Sequence, residues 1–421
     1  MTARSVLSRL VGDNHDVVGN RDFQIVLIAG IVTPLGTSLV SPILDSLRDP
    51  FSVSATEVGL MITAFTAPGI VLIVLGGFLA DTYGRKPVLS VGLLLFGTSG
   101  VLIAFTESFG IALALRFLQG AGLSGITPVL ITIVGDLFSG ERETTAQGMR
   151  FGVSGLLSAV FPVFAGILVV VAWQYPFYLY GLSIPLAGLS YLFLSESRTP
   201  STDDQESTSS GSVPLEYVVE LSRQCLKTHV FSFLVARFTP VFVYIGFLTY
   251  VSIVVVELVG GTPRDAGIIV GIVNFVYALT AIQAGRINSM ISGHTITLVG
   301  ANSLLCLGFL VVLYTPSVLV AALGAILIGV GFGFILSLYR SIISKLASVQ
   351  YRGGLVGAGE AVGRVGATFA PVFLGGVITL AEPIFGFQDA IRYSLGGSAV
   401  AFTVIGCLSV LVMIATSPEK L

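Results

Sequence analysis

Runs of about twenty apolar residues alternate with short polar connections along almost the whole chain, a pattern that predicts helices able to cross the ~30 Å hydrocarbon core of a bilayer. Twelve such runs are visible: 23–44, 58–80, 88–105, 111–134, 148–171 and 176–194, then 230–256, 266–284, 295–314, 317–337, 355–380 and 394–415. None alternates apolar with polar at a period of two, so the strands of a barrel are set aside. Helices are the remaining way to satisfy a backbone in lipid. The expected fold is an all-α membrane protein of twelve transmembrane helices.

The polar stretches divide the chain. Residues 1–22 carry Arg4, Arg9, Asp13, Asp16, Arg21 and Asp22 without a sustained apolar core, unlike a cleavable signal. Val6, Leu7, Leu10 and Val11 line one face of a short surface helix, or the segment is a mobile tail. Residues 195–213, rich in Ser, Thr and acids, read as a flexible linker, and residues 215–228 regain helical periodicity suited to a membrane surface. The expected organisation is a tail at 1–22, a six-helix bundle at 23–194, a linker at 195–229 and a second six-helix bundle with a short tail at 230–421. A shift of 209 residues lays Pro162–Gly166 (PVFAG) over Pro371–Gly375 (PVFLG), and Gly120 and Gly122 over Gly329 and Gly331. Two matches at one offset predict pseudo-symmetric halves, a feature of secondary transporters.

Composition sharpens this picture: 54% of residues are hydrophobic and 10% charged, against roughly 25% charged in soluble domains. With 21 Lys and Arg against 23 Asp and Glu the net charge is −2, so no basic surface awaits nucleic acid. Placing both termini in the cytoplasm leaves only Arg48, Arg264 and Arg392 in outer connections; Arg116, Arg237 and Arg364 fall within spans, and every other Lys and Arg lies inside. The cysteines (Cys225, Cys306, Cys407) and histidines (His15, His229, His294) are scattered, without metal-ligand spacing. No lysine follows a glycine, so the chain lacks a phosphate loop for ATP. No cofactor or metal is expected. The string from Gly120 to Gly125 spells GxGxxG, but in mid-span it serves helix packing rather than a dinucleotide.

Two motifs carry more. Between the second and third runs stands Gly77-Phe-Leu-Ala-Asp81-Thr-Tyr-Gly84-Arg85-Lys86, and in the fourth run Arg116-Phe-Leu-Gln119-Gly120-Ala-Gly122. Downstream, Gly135-Asp136 and Glu141-Arg142 border the next connection, where Asp136 is able to meet Arg85. Gly77 suits a close helix approach and Gly84 a tight turn. These strings resemble the two signatures of the major facilitator superfamily, matching the first at Gly77, Leu79, Ala80, Asp81, Gly84, Arg85 and Lys86, with Thr82 in place of its usual arginine. Gly285, Arg286 and Asn288 resemble a degenerate second copy. Around Gly148, Gly152, Gly155, Pro162 and Gly166 the fifth run partly resembles the superfamily's drug/proton antiporters, Phe161 and Ala165 departing from their glycines.

The resemblance implies two six-helix bundles around a cavity that opens alternately to either side, and a monomeric transporter in the plasma or inner membrane. Proton-coupled efflux of small amphiphilic or drug-like compounds is the implied activity. A proton-coupled importer of a metabolite, a non-transporting receptor and a polytopic membrane enzyme are the alternatives. Asp81, Arg85, Lys86, Asp136 and Arg142 are the expected gating motif. Arg116 either lines the cavity with Gln119 or snorkels outward. Glu360 and Arg364, one turn apart, are a coupling site or a self-neutralising structural pair. Of the 23 acids only Glu360 lies well within a run, which makes it the leading proton carrier; Asp45 at the outer mouth is second. Among the polar residues Tyr244, Asn274, Tyr277, Gln283 and Tyr339, only Asn274 and Tyr277 are pocket candidates. Gly120, Gly122, Pro162, Gly166, Pro371 and Gly375 are expected to pack and bend helices.

Overall fold

The computed structural model describes residues 15–195, 215–290, 294–346 and 352–416, and no strand occurs among them. The expected surface helix at Val6–Val11 and residues 196–214 of the linker lie outside these residues, as do the side chains of Arg286 and Asn288. Residues Leu215–Cys225 form a helix ahead of the seventh span.

Ten of the twelve predicted spans are long apolar helices. The second is made of Ala55–Val58, Leu60–Thr66 and Gly69–Tyr83; the third to fifth are Arg85–Leu102, Phe109–Leu137 and Gly140–Val171. The seventh to twelfth are Thr228–Ile253, Pro263–Met290, His294–Tyr314, Val318–Leu346, Arg352–Phe385 and Phe387–Thr416. Spans one and six differ from expectation. The first runs as a helix over Arg21–Ala29, tightens into a 3-10 turn over Gly30–Leu35, and proceeds through short turns at Ser41–Ile43 and Asp45–Leu47. The sixth breaks into Tyr175–Tyr178, Leu179–Leu182 and Ser183–Phe193. Pro34 and Pro42 in one, and Pro176 and Pro185 in the other, remove donors from the helical ladder, so hydrophobicity preserves the crossing while proline interrupts the helix.

The two halves repeat the same packing. A Cβ at Gly122 would stand 2.8 Å from the Gly92 oxygen and the Phe96 nitrogen of the third span. At Gly331 it would stand 2.5 Å from the Ala301 oxygen and 2.7 Å from the Leu305 nitrogen of the ninth. All three positions in the second half follow from the first by the 209-residue offset. Gly120 likewise packs on the Phe65 carbonyl of the second span, as Gly329 does on the Val273 carbonyl of the eighth. Small residues let backbones touch where lipid supplies no hydrophobic force between helices.

Between the halves, contact is one-sided. The fifth and eighth spans cross where the Pro162 carbonyl faces Gly267 and Gly166 faces Pro263, and they touch as far as Gly155 and Ala278. Beyond that, a Cβ at Gly152 or Gly148 would meet nothing within 4 Å. The second and eleventh spans behave alike: Thr63 donates to the Thr368 carbonyl at 3.1 Å, Thr368 bonds Thr66 at 3.0 Å, and Gly375 packs beside Thr56 and the Tyr250 hydroxyl. Nearer the termini, Gly77 and Gly357 face open space. The end of the sixth span returns beside the start of the first, where the Ser195 amide donates to Asp22 at 3.1 Å. A cleft therefore opens between the halves toward the side of the termini and is closed on the far side.

Candidate functional site

Four groups of side chains border or brace this cleft. In the first half, Arg116 is fully enclosed. Its guanidinium donates to the carbonyls of Met61 (3.2 Å) and Gly36 (3.1 Å), to Gln119 Oε1 (2.6 Å) and to the Tyr180 hydroxyl (3.2 Å), and lies over the Phe65 ring at 4.3 Å. Tyr180 in turn donates to the Leu35 carbonyl at 3.0 Å, and Gln119 to the Phe96 carbonyl at 3.4 Å. Leu35 and Gly36 end the 3-10 turn where the first span breaks, so their carbonyls lack the next helical donors. Arg116 and Tyr180 supply those donors. This arginine neither snorkels to lipid headgroups nor surfaces on the cleft, because the broken first span offers it acceptors inside the bundle.

At the terminal end of the same half, Gly84 takes φ +94°, a conformation that glycine adopts without strain, and turns the second span into the third. Arg85 forks onto both carboxylate oxygens of Asp136 and reaches Asp81 at 3.3 Å. Lys86 instead places its ammonium over the Tyr191 ring, 5.6 Å away. Arg142 is exposed at the start of the fifth span. The close approach expected at Gly77 belongs to its neighbour: Gly76 packs on the Ser124 carbonyl, whereas Gly77 looks into the parted cleft.

The second half holds a different arrangement. Glu360 and Arg364 share a face of the eleventh span, but Glu360 pairs with Arg237 of the seventh span, at 3.5 Å. Arg237 is 6% exposed and the Glu360 side chain 48% exposed. The Arg237 guanidinium rests against Gly363, where a Cβ would lie 3.4 Å from its Cζ. Arg364 reaches across the cleft to Gly69 of the second span. Arg237 is the residue that sequence reasoning left without a role; its signal was an arginine within a run and no acid at helical spacing. Phe233, Arg237, Tyr339, Ile343, Val356 and Glu360 surround a cavity of about 270 Å³ beside this pair.

On the far side, Arg48 joins Asp45 and Glu257, both at 2.9 Å, tying the first half to the second. Ser41 donates to the Leu248 carbonyl, Ser252 to the Pro42 carbonyl (2.8 Å), and the Asp45 amide to Ser252 (3.2 Å). Burial pushes the Asp45 carboxyl above its ordinary pKa, opposed by the hydrogen bond and charge of Arg48. Asp45 is thus part of a seal, and so is Asn274. Its amide donates to the Ser158 carbonyl across the halves at 3.0 Å while its oxygen accepts from Tyr244 at 3.0 Å. Tyr277, by contrast, borders a cavity of about 610 Å³ between the fifth, eighth and tenth spans, with Phe151, Ser154, Ser158 and Ser337. Of the bending residues, the Pro371 carbonyl accepts from Tyr250 at 3.3 Å, close to Gly375.

Known proteins share this fold. Over 95% of the chain the fold matches a bacterial homolog of the human lysosomal transporter Spinster, in an inward-facing and unoccupied conformation, covering 98% of that chain with a TM-score of 0.78 and 15% identity. The bacillibactin exporter of Bacillus subtilis is 32% identical over 156 residues, 35% of this chain and 38% of that protein. The quinolone resistance protein NorA of Staphylococcus aureus is 25% identical over 236 residues, 56% and 58% of the two. The chain thus spans less than two thirds of the length of these curated relatives. A family model described as Major Facilitator Superfamily matches residues 26–371, most of the sequence, and the chain belongs to that superfamily.

Proposed function

We propose that this protein is a proton-coupled exporter of small amphiphilic compounds that works by alternating access as a monomer in the cell membrane. The observation that carries the reading is the cleft, open toward the termini and sealed on the far side, with the carboxylate of Glu360 half-exposed on its wall. The excess of Lys and Arg in the terminal-side connections supports a cytoplasmic position for that side. Loading from the cytoplasm, closure of Arg85, Asp81 and Asp136 against the opposite bundle, and rupture of the Arg48–Asp45–Glu257 seal then make one transport cycle. Similarity to an exporter and a resistance protein supports the outward direction. Superfamily membership sets the membrane-enzyme reading aside.

Glu360 is proposed as the proton carrier. Its partner Arg237 comes from another helix, so relative movement of the seventh and eleventh spans changes the proton affinity of the carboxyl between states, as coupling requires. The 610 Å³ cavity at Tyr277 has room for a solute passing along the cleft between the halves.

The test uses everted membrane vesicles containing the full chain and fluorescent naphthyl amphiphiles of anionic, neutral and cationic type. The expected result is accumulation of at least one type in vesicles with an acidic lumen, abolished by a protonophore. Accumulation only in right-side-out vesicles, acidified outside, would establish an importer. Absence of gradient-dependent movement for every type would favour a receptor.

A further inference from the structure

Among the described residues, the cleft side of the second half carries more positive than negative charge. Arg116 is saturated inside its own bundle. On the eleventh span and its partner, two guanidiniums, Arg237 and Arg364, face one carboxylate, Glu360. Arg364 feels the charge of Glu360, one turn away on its own helix, but finds no hydrogen-bond acceptor among the described residues, although an arginine at membrane depth costs about 2.5–3.5 kcal/mol on insertion scales. Arg237 leaves its Nη1 without an acceptor, and the fully buried Tyr339 hydroxyl finds no partner with hydrogen-bond geometry. Both residues border the 270 Å³ cavity, whose remaining walls are largely the apolar Phe233, Ile343 and Val356.

Buried donors without acceptors are costly, and a positive site in a low-dielectric wall is repaired by an anion. A cation entering here would meet net like charge, and a neutral solute without an acceptor would leave Arg237 Nη1 unmatched. The donors are also of the right kind, since guanidinium forks match planar or tetrahedral oxyanions.

Building on the transport reading above, we infer that the compounds taken up by this cleft are amphiphilic organic anions, bearing a carboxylate, sulfonate or phosphate group. The oxyanion accepts from Arg237 Nη1 and the Tyr339 hydroxyl, Arg364 adds positive potential from one turn further along the eleventh span without lining the cavity, and the apolar body lies against Phe233, Ile343 and Val356. Glu360 and the incoming anion compete for Arg237. This gives Glu360 a part in substrate choice as well as in coupling.

Three probes sharing a naphthalene body decide the matter: a sulfonate, a neutral methyl sulfone and a trimethylammonium, none of which changes charge with pH. Equilibrium dialysis against the purified full chain in nanodiscs should rank sulfonate above sulfone by about tenfold or more, with the cation weakest. Glu360→Gln should tighten sulfonate binding about tenfold, and Arg364→Gln should erase most of the preference; Arg364→Lys, checked for monodispersity, should keep the preference at reduced affinity. Charge-blind or cation-preferring binding by the wild type overturns the anion inference and leaves the transport reading standing. Sulfonate that binds but is not carried into proteoliposomes keeps the site and overturns transport. If none of the three binds, the site is not there.

Discussion

The arginines of the two halves meet the membrane in opposite ways. Arg116 spends its hydrogens on two carbonyls, a glutamine and a tyrosine, without a carboxylate partner, and is completely enclosed. Arg237 and Arg364 stand where helices from different elements meet at the cleft, one with an acid at 3.5 Å and an idle Nη1, the other facing Gly69. The difference separates two uses of a buried charge. Saturated with neutral acceptors, a guanidinium rivets a broken helix to its bundle; left partly unmatched beside solvent, it remains available for chemistry.

The comparison breaks most readily on stability. Arg116→Leu leaves the Met61 and Gly36 carbonyls without their donor in the interior, and is expected to destabilise the protein by at least about 3 kcal/mol. Arg364→Leu removes a cation that makes no hydrogen bond among the described residues and feels only the charge of Glu360, and is expected to cost under about 1 kcal/mol. Thermal unfolding in matched detergent measures both, and equal losses would erase the distinction. A smaller effect, on population rather than folding, is expected at the other charged cluster of the first half. Asp81→Asn weakens the hold on Arg85 at the cleft mouth, should favour the cytoplasm-open arrangement, and should slow turnover without loss of yield. Cysteine labelling at residues lining the cytoplasmic cleft reads this, and unchanged labelling with unchanged transport would remove the cluster from gating.

The smallest effect concerns the far-side seal. Asp45 binds its proton more tightly when sealed beside Arg48, Glu257 and Asp49 than in open water, where its ordinary value is 3.8. Protons therefore favour the sealed state, and the bias grows as the outer pH falls through the raised value and is complete below the ordinary one. Labelling of a far-side cysteine, such as Thr379→Cys, should slow on acidification more than the same cysteine does in an Asp45→Asn background, which corrects for protonation of the thiol itself. Faster labelling in acid would reverse the sign of the argument.

The sequence made the architecture legible because twenty-residue apolar runs leave a chain few options in lipid, and because the 209-residue offset survives as matching backbone contacts at Gly122 and Gly331. It did not reveal the breaks in spans one and six, where proline acts on a helix that hydrophobicity alone would continue. Nor could spacing place the side chains of Arg116 or Glu360. Helical periodicity predicts a partner four residues away on the same helix, and Arg364 satisfied that rule; the partner supplied by tertiary packing, Arg237, lies 123 positions earlier in the chain. Asn274 was misread as a pocket candidate for a similar reason, since its amide is consumed by the Ser158 carbonyl of the other half.

The central claim is that this cleft converts a proton gradient into solute movement through Glu360. Proteoliposomes containing wild type or Glu360→Gln, loaded with naphthalene sulfonate, test it most directly, with gradient-driven flux and energy-independent exchange measured on the same preparation. The account predicts that the variant loses gradient-driven flux to the level of protein-free liposomes while exchange persists. Gradient-driven flux that survives intact in Glu360→Gln would show that Glu360 and Arg237 are only a structural pair, and that the proton travels elsewhere.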